Sequence, residues 1–235
     1  MSRRVVLGID TCSKWLNLAL VDGDGEVLGE VHEQVPTHAT KLVAGIEALL
    51  PSGSPDKGSL AALGVVLGPG SFTGLRVGLA AAEGLSAALG LPVFGIDSLS
   101  ALALSSSGEG EGLALLDARR RQVYAGRFLR RAGKAAALGE PEALPPHELD
   151  EAVSNCAWAI GDGVGMVRGW RAACLLEPGI PNLALPAARS ALEALRAGSE
   201  PAILTPLYVR PPDVREPGEK ELTGRGAGEL ERAKK

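Results

Sequence analysis

The sequence predicts an α/β protein of two related lobes, and three observations carry that prediction. A β-hairpin followed by alternating strands and helices occurs twice along the 235 residues. A short Ser/Gly/Glu run, residues 105–112, separates the two occurrences. The chain is 46% hydrophobic and 22% charged, and its 31 Gly and 16 Pro are scattered between apolar runs, which suits many tight connections and argues against a disordered chain. The expected organisation is an amino-terminal lobe over 1–106, a smaller carboxyl-terminal lobe over 107–210 and a charged, disordered tail over 211–235.

Residues 5–9 (Val-Val-Leu-Gly-Ile) form an apolar run suited to a strand buried on both faces. Leu16–Val21 and Glu26–Val31 flank Asp22-Gly23-Asp24-Gly25, a strong hairpin signal. From Thr37 or His38 to Leu50, apolar residues fall at helical spacing, and Pro51 ends the pattern. Leu60–Leu67 reads as a second buried strand and Leu75–Leu89 as a helix stopped by Gly90. Pro92–Ile96 is a strand and Ser98–Leu104 a short helix. Beyond the linker come strands at Leu113–Asp117, Gln122–Phe128 and Lys134–Leu138. A short acidic helix (His147–Val153), a strand (Ala157–Ile160) and a helix (Leu183–Ala197) complete the second lobe.

Charge and composition exclude several classes. The net charge is -4 and the sequence pI about 5.5, so the chain lacks the overall basic field of a protein that holds nucleic acid alone. Cys12, Cys156 and Cys174 are far apart in sequence, with no CxxC pair, and point to reduced thiols in a cytoplasmic setting. The apolar stretch after Arg3-Arg4 is too short for a signal sequence, and no run approaches a membrane span. His32, His38 and His147 have no HxxxH spacing, so no metal site is expected.

The most informative stretch is Gly68-Pro69-Gly70-Ser71-Phe72-Thr73-Gly74-Leu75-Arg76, a glycine-rich loop between a buried strand and a helix. Such a loop offers backbone N–H groups to an anion. It fails the known templates: no lysine stands here for a P-loop, Thr73 replaces a dinucleotide glycine, and Ser71 lacks the GxSxG frame. A tight turn with Ser71 or Thr73 as N-cap is the competing reading. Asp10-Thr11 sits at a strand end, where sugar kinases and actin-like ATPases handle phosphate, but Thr11 occupies a position normally held by glycine and would crowd the site. The anion-binding candidates are therefore Asp10, Thr11, Gly70, Ser71 and Thr73. Gly74, Gly78, Ala82 and Ser86 recur every four residues as a small-residue ridge, which lets a partner helix or the protein's own sheet approach closely. Arg119-Arg120-Arg121 heads the densest basic patch and is either a solvated hairpin or an RNA contact.

These motifs together resemble the TsaB (YeaZ) family. The carriers are Gly8-Ile9-Asp10-Thr11, His38, the 68–76 stretch, Asp117-Ala118-Arg119 through Tyr124, Gly161-Asp162-Gly163 and Leu207-Tyr208-Val209-Arg210. The resemblance implies a two-lobed actin-like ATPase (RNase H-like) fold with a reduced second lobe. It implies a subunit without catalytic residues or a cofactor of its own, which assists a TsaD-like catalytic subunit and a TsaE-like ATPase in making N6-threonylcarbamoyladenosine in tRNA. It further implies a homodimer when alone, with tRNA met only through partners. The implied interface is a helix bundle using His38, Leu42, Ile46, Phe72, Leu75, Gly78, Leu79 and Ala82. Two alternatives stand beside it: an active small-molecule kinase or ATPase, opposed by Thr11 and the missing lysine, and a peptidase, opposed by the histidine inventory.

Overall fold

Strand β1 (Val5–Asp10) is buried along its whole length, as a strand covered by helices on both faces must be. The structure is a computed structural model and describes residues 5–50, 60–201 and 203–209. β1 pairs antiparallel with β2 (Trp15–Asp22), and β2 with β3 (Val27–Gln34). The Asp22–Gly25 turn closes with Asp22 N donating to Glu26 O at 2.9 Å. Helix α1 (Leu42–Leu49) begins a turn later than its apolar spacing predicts. Residues 38–41 turn instead, with Lys41 N and Leu42 N both donating to His38 O. Pro51 and the loop assigned to 51–59 lie outside the described residues, as does the tail over 211–235.

β4 (Leu60–Val66) and β5 (Val93–Ile96) add in parallel, giving the sheet order β3-β2-β1-β4-β5. Between them, α2 (Phe72–Leu89) starts three residues earlier than predicted because Ser71 caps it, its Oγ accepting from Gly74 N at 3.2 Å. Gly90 ends it in the left-handed conformation, φ 65°. Leu42, Ile46, Leu75, Leu79 and Ala82 share one apolar core with Leu7, Ile9, Leu18 and Leu63, so α1 and α2 cover the same side of this sheet. α3 (Ser98–Ser105) follows, capped by Asp97.

The second lobe repeats this plan. β6 (Gly110–Asp117), β7 (Val123–Arg131) and β8 (Lys134–Ala137) form an antiparallel meander. Between β8 and the next ladder strand come β9 (Glu142–Leu144), a 3-10 turn over Pro146–Leu149 and α4 (Asp150–Asn155). β10 (Trp158–Gly161) and β11 (Leu175–Pro178) then pair in parallel, completing the order β11-β10-β6-β7-β8. Read from the other edge, this is the strand arrangement of the first sheet. The repeat is reduced: where α2 stands in the first lobe, a 3-10 turn over Val164–Met166 stands in the second.

Two helices cross between the lobes. α3 packs on β6, β7 and β8, whereas α5 (Ala184–Arg196) packs on β1, β2, β4 and β5. Gly8 and Gly64 make the second crossing possible, since a Cβ at either would overlap the backbone of Ala184 or Ala187. α5 therefore falls within 107–210 in sequence but covers the first sheet, a placement that local periodicity cannot reveal. Part of the expected linker is also structured. Gly110–Gly112 belong to β6, Arg130 Nη1 donates to Gly108 O at 2.8 Å, and the fully buried Trp158 ring lies against Gly108 and Gly112.

Candidate functional site

At the end of β1 the chain turns under the glycine-rich loop, and the two are locked together. Ser71 N donates to Cys12 O at 2.5 Å, and Thr11 Oγ1 donates to Gly74 O at 2.7 Å. Cβ atoms placed at Gly70, Gly74 or Gly78 would overlap Cys12 or Thr11. These glycines are thus explained by the close approach of the chain's own β1–β2 turn. Asp10, 1% exposed, accepts from Cys12 N at 2.8 Å and from Asn17 Nδ2 at 2.6 Å. Asn17 Oδ1 accepts in turn from His32 Nδ1 at 2.6 Å, and the His32 ring stacks on Trp15 at 4.3 Å. Burial pushes the Asp10 carboxyl above its ordinary value, against the hydrogen bonds from Asn17 and Cys12. Burial, and secondarily the Asp10 charge, pushes the Cys12 thiol well up, which disfavours its thiolate.

This geometry divides the predicted anion site. Gly70, Ser71 and Thr73 line a cleft of about 1020 Å³ between the lobes, whereas Asp10 and Thr11 are buried behind it and do not reach it. The far wall comes from the second lobe: Asp117, Arg119, Tyr124 and Asp162. Asp117 ends β6 as Asp10 ends β1, and each carboxylate accepts from the backbone N–H two residues on, Arg119 N lying 2.7 Å from Asp117 Oδ1. Asp162 Oδ1 accepts from Asp117 N at 2.9 Å, so Gly161-Asp162-Gly163 serves the second lobe as the 68–74 loop serves the first. Lys14, His38 and Arg76 also face the cleft. His38 Nε2 donates to Trp15 O at 3.1 Å, and Arg76 lies 3.8 Å above the Phe72 ring. Among the described residues no group of three or more His, Cys, Asp and Glu is placed to hold a metal.

The arginine triplet is also split. Arg119 faces the cleft and pairs loosely with Asp117 at 3.7 Å, while Arg120 and Arg121 line a separate pocket. All three have left-handed backbones, φ 63°, 50° and 61°, at a cost of about 1–2 kcal/mol each for a residue with a Cβ.

The predicted interface residues are mostly internal, a correction to the sequence reading. Leu42, Ile46, Leu75, Gly78, Leu79 and Ala82 are buried in this chain, and the ridge of Gly74, Gly78 and Ala82 faces inward. Phe72 is 38% exposed, and His38 is held by Trp15. What α1 and α2 turn outward is a different small-residue surface. It carries Val43 (62% exposed), Ala44 and Ala48 on α1, and Ala80, Gly84, Ala87 and Ala88 on α2, with Glu47 and Glu83 also exposed on these helices. For α2 the signal was present in sequence as a second apolar side, but periodicity does not say which side the sheet takes. Sequence reading also missed Asn17 and the approach of Cys156 to Cys174, whose sulfurs lie 3.5 Å apart.

Two sheets of the same strand order, joined by crossing helices around a central cleft, define a chain of the actin-like ATPase (RNase H-like) fold. The family model "TsaD: tRNA N6-adenosine threonylcarbamoyltransferase" matches residues 31–157. An uncharacterized protein of Mycobacterium tuberculosis is 34% identical over 216 residues, covering 89% of this chain and 93% of that one. The Escherichia coli tRNA threonylcarbamoyladenosine biosynthesis protein TsaB is 29% identical over 171 residues, 71% of this chain and 72% of its own. A crystal structure from Pseudomonas aeruginosa, described as similar to the peptidase YeaZ, superposes with a TM-score of 0.74 at 26% identity, covering 88% of this chain and 100% of that one. The chain belongs to the TsaB (YeaZ) family.

Proposed function

We propose that this protein is a non-catalytic subunit in the synthesis of N6-threonylcarbamoyladenosine in tRNA, working beside a TsaD-like catalytic subunit. The observation that carries the non-catalytic reading is the filled phosphate corner. Thr11 wedges against Gly78 and bonds to Gly74, and Asp10 is saturated by Cys12 N and Asn17. A nucleotide phosphate has no room there, which weighs against the kinase or ATPase reading. The peptidase reading finds no support either, since Cys12 is buried with a raised thiol and His38 bonds a backbone oxygen.

The partner meets the outward faces of α1 and α2. Their small side chains let another helix pair approach closely, and the same surface serves a homodimer when the chain is alone. A TsaE-like ATPase joins the assembled pair in the cytoplasm, and ATP is handled by these partners. Among the described residues no helix is long and apolar enough to cross a membrane. The test is light scattering after size exclusion, with Val43→Glu and Gly84→Arg as variants. Loss of association with a TsaD-like subunit in both, with the monomer still folded, supports the reading. Full association by both variants overturns this interface, and stoichiometric ATP binding by this chain alone overturns the non-catalytic role.

A further inference from the structure

We propose that a basic pocket on the second lobe, away from the inter-lobe cleft, binds the phosphate backbone of tRNA. This deepens the tRNA role above and rests on it. Arg120 and Arg121 enter the pocket from the β6–β7 turn, Arg168 from the segment after the Val164–Met166 turn, and His147 from the Pro146–Leu149 turn. No carboxylate belongs to its lining. The pocket's volume is about 850 Å³, and Pro146 and Met166 supply an apolar wall. It is therefore too large for a bare phosphate and suited to a nucleotide unit of a strand, with the sugar against the wall and the phosphate among the guanidinium groups.

The chain as a whole is acidic, at -4. Two neighbouring arginines of the β6–β7 turn and a third from a separate segment converge on one cavity, unlike a generally basic surface. Arg121 and His147 make no hydrogen bond or ion pair with any described residue, so both are available to a ligand. The left-handed backbone of residues 119–121 sends Arg119 to the cleft and its two neighbours to this pocket, so the arrangement is more specific than a solvated hairpin tip. RNA is favoured over an acidic protein segment by the planar, bidentate geometry that guanidinium offers to phosphate, and by the family's place in tRNA chemistry.

The test uses the full chain, an unmodified tRNA transcript carrying a fluorophore, and anisotropy over a range of salt. Arg121→Glu and Arg168→Glu should each weaken binding about tenfold and flatten the log–log salt dependence by about one unit. Arg131→Glu, at the end of β7, should change binding less than about twofold, and all three variants should keep the parent's melting temperature. Equal tRNA binding by parent and pocket variants overturns the proposal. So does saturable binding of AMP or inorganic phosphate by a parent chain that binds no tRNA, which assigns the pocket to a small phosphorylated ligand. Loss of TsaD-like association in the pocket variants with tRNA binding intact overturns it in favour of a protein contact. If the parent binds tRNA through Arg121 but never associates with a TsaD-like subunit, the pocket stands and the proposed function falls.

Discussion

Gly78→Ala is the sharpest perturbation of the closed corner. Gly78 lies in the middle of α2, where alanine normally stabilises a helix by about 1 kcal/mol. Here the new methyl would overlap Thr11 Oγ1 and stand 3.6 Å from Thr11 Cβ. Relieving that overlap means moving either the helix or the β1–β2 turn, a repacking cost of about 1–3 kcal/mol. It also endangers the 2.7 Å hydrogen bond from Thr11 to Gly74 O, worth about 1 kcal/mol. The net expectation is a loss of about 1–3 kcal/mol, or a fall in melting temperature of about 3–10 °C for a chain of this size. The decisive assay is a double-mutant cycle by chemical unfolding. In a Thr11→Ala background the overlap is gone, so Gly78→Ala should become neutral or stabilising, with a coupling of about 2 kcal/mol. If Gly78→Ala stabilises the parent protein, Thr11 does not occupy the corner and the closed site is wrong.

Other expectations follow from the same geometry. Gly84 has open space around its missing Cβ within the chain, so in the monomeric Val43→Glu background Gly84→Ala should raise unfolding stability by about 0.5–1 kcal/mol, read by urea titration. The buried Asp10 carboxyl has a folded value above its ordinary 3.8. Its contribution to stability is therefore full below that value and is lost as pH rises through the folded value. Asp10→Asn should flatten that part of the stability–pH curve; an unchanged curve would show that Asp10 is not the buried titrating group. Burial and the neighbouring Cys174 push the Cys156 thiol up to about 12. In native protein near pH 8, iodoacetamide should therefore modify Cys174 well ahead of Cys156 and Cys12, as mass spectrometry would read.

The strands were legible because burial on both faces leaves a plain mark: β1 and β4 are uninterrupted apolar runs flanked by turn residues. The short elements β9 and β11 were not. Three or four residues carry no period, and Leu175-Leu176 in β11 is half exposed at the sheet's edge. The repeat of the lobes could be read from element order, but the exchange of α3 and α5 could not, because a helix's apolar stripe does not name the sheet it will cover. The same ambiguity reversed the reading of α2. Spacing found the ridge of Gly74, Gly78 and Ala82, yet only the fold shows that Thr11, more than sixty residues earlier in the chain, fills it. The crowding by Thr11 was foreseeable from one residue standing where glycine is usual. The division of Arg119 from Arg120 and Arg121 was not, since it depends on three consecutive left-handed residues that no arginine run advertises.

In the proposed role, a closed, non-catalytic actin-like fold acts by presenting the outer faces of α1 and α2. Light scattering on this chain, alone and mixed with the TsaD-like subunit of the same organism, tests it most directly. The chain should be a homodimer that converts to a one-to-one heterodimer on mixing, and Gly84→Arg should abolish both states. A monomer that ignores the TsaD-like subunit, or a Gly84→Arg variant that pairs as the parent does, would contradict it.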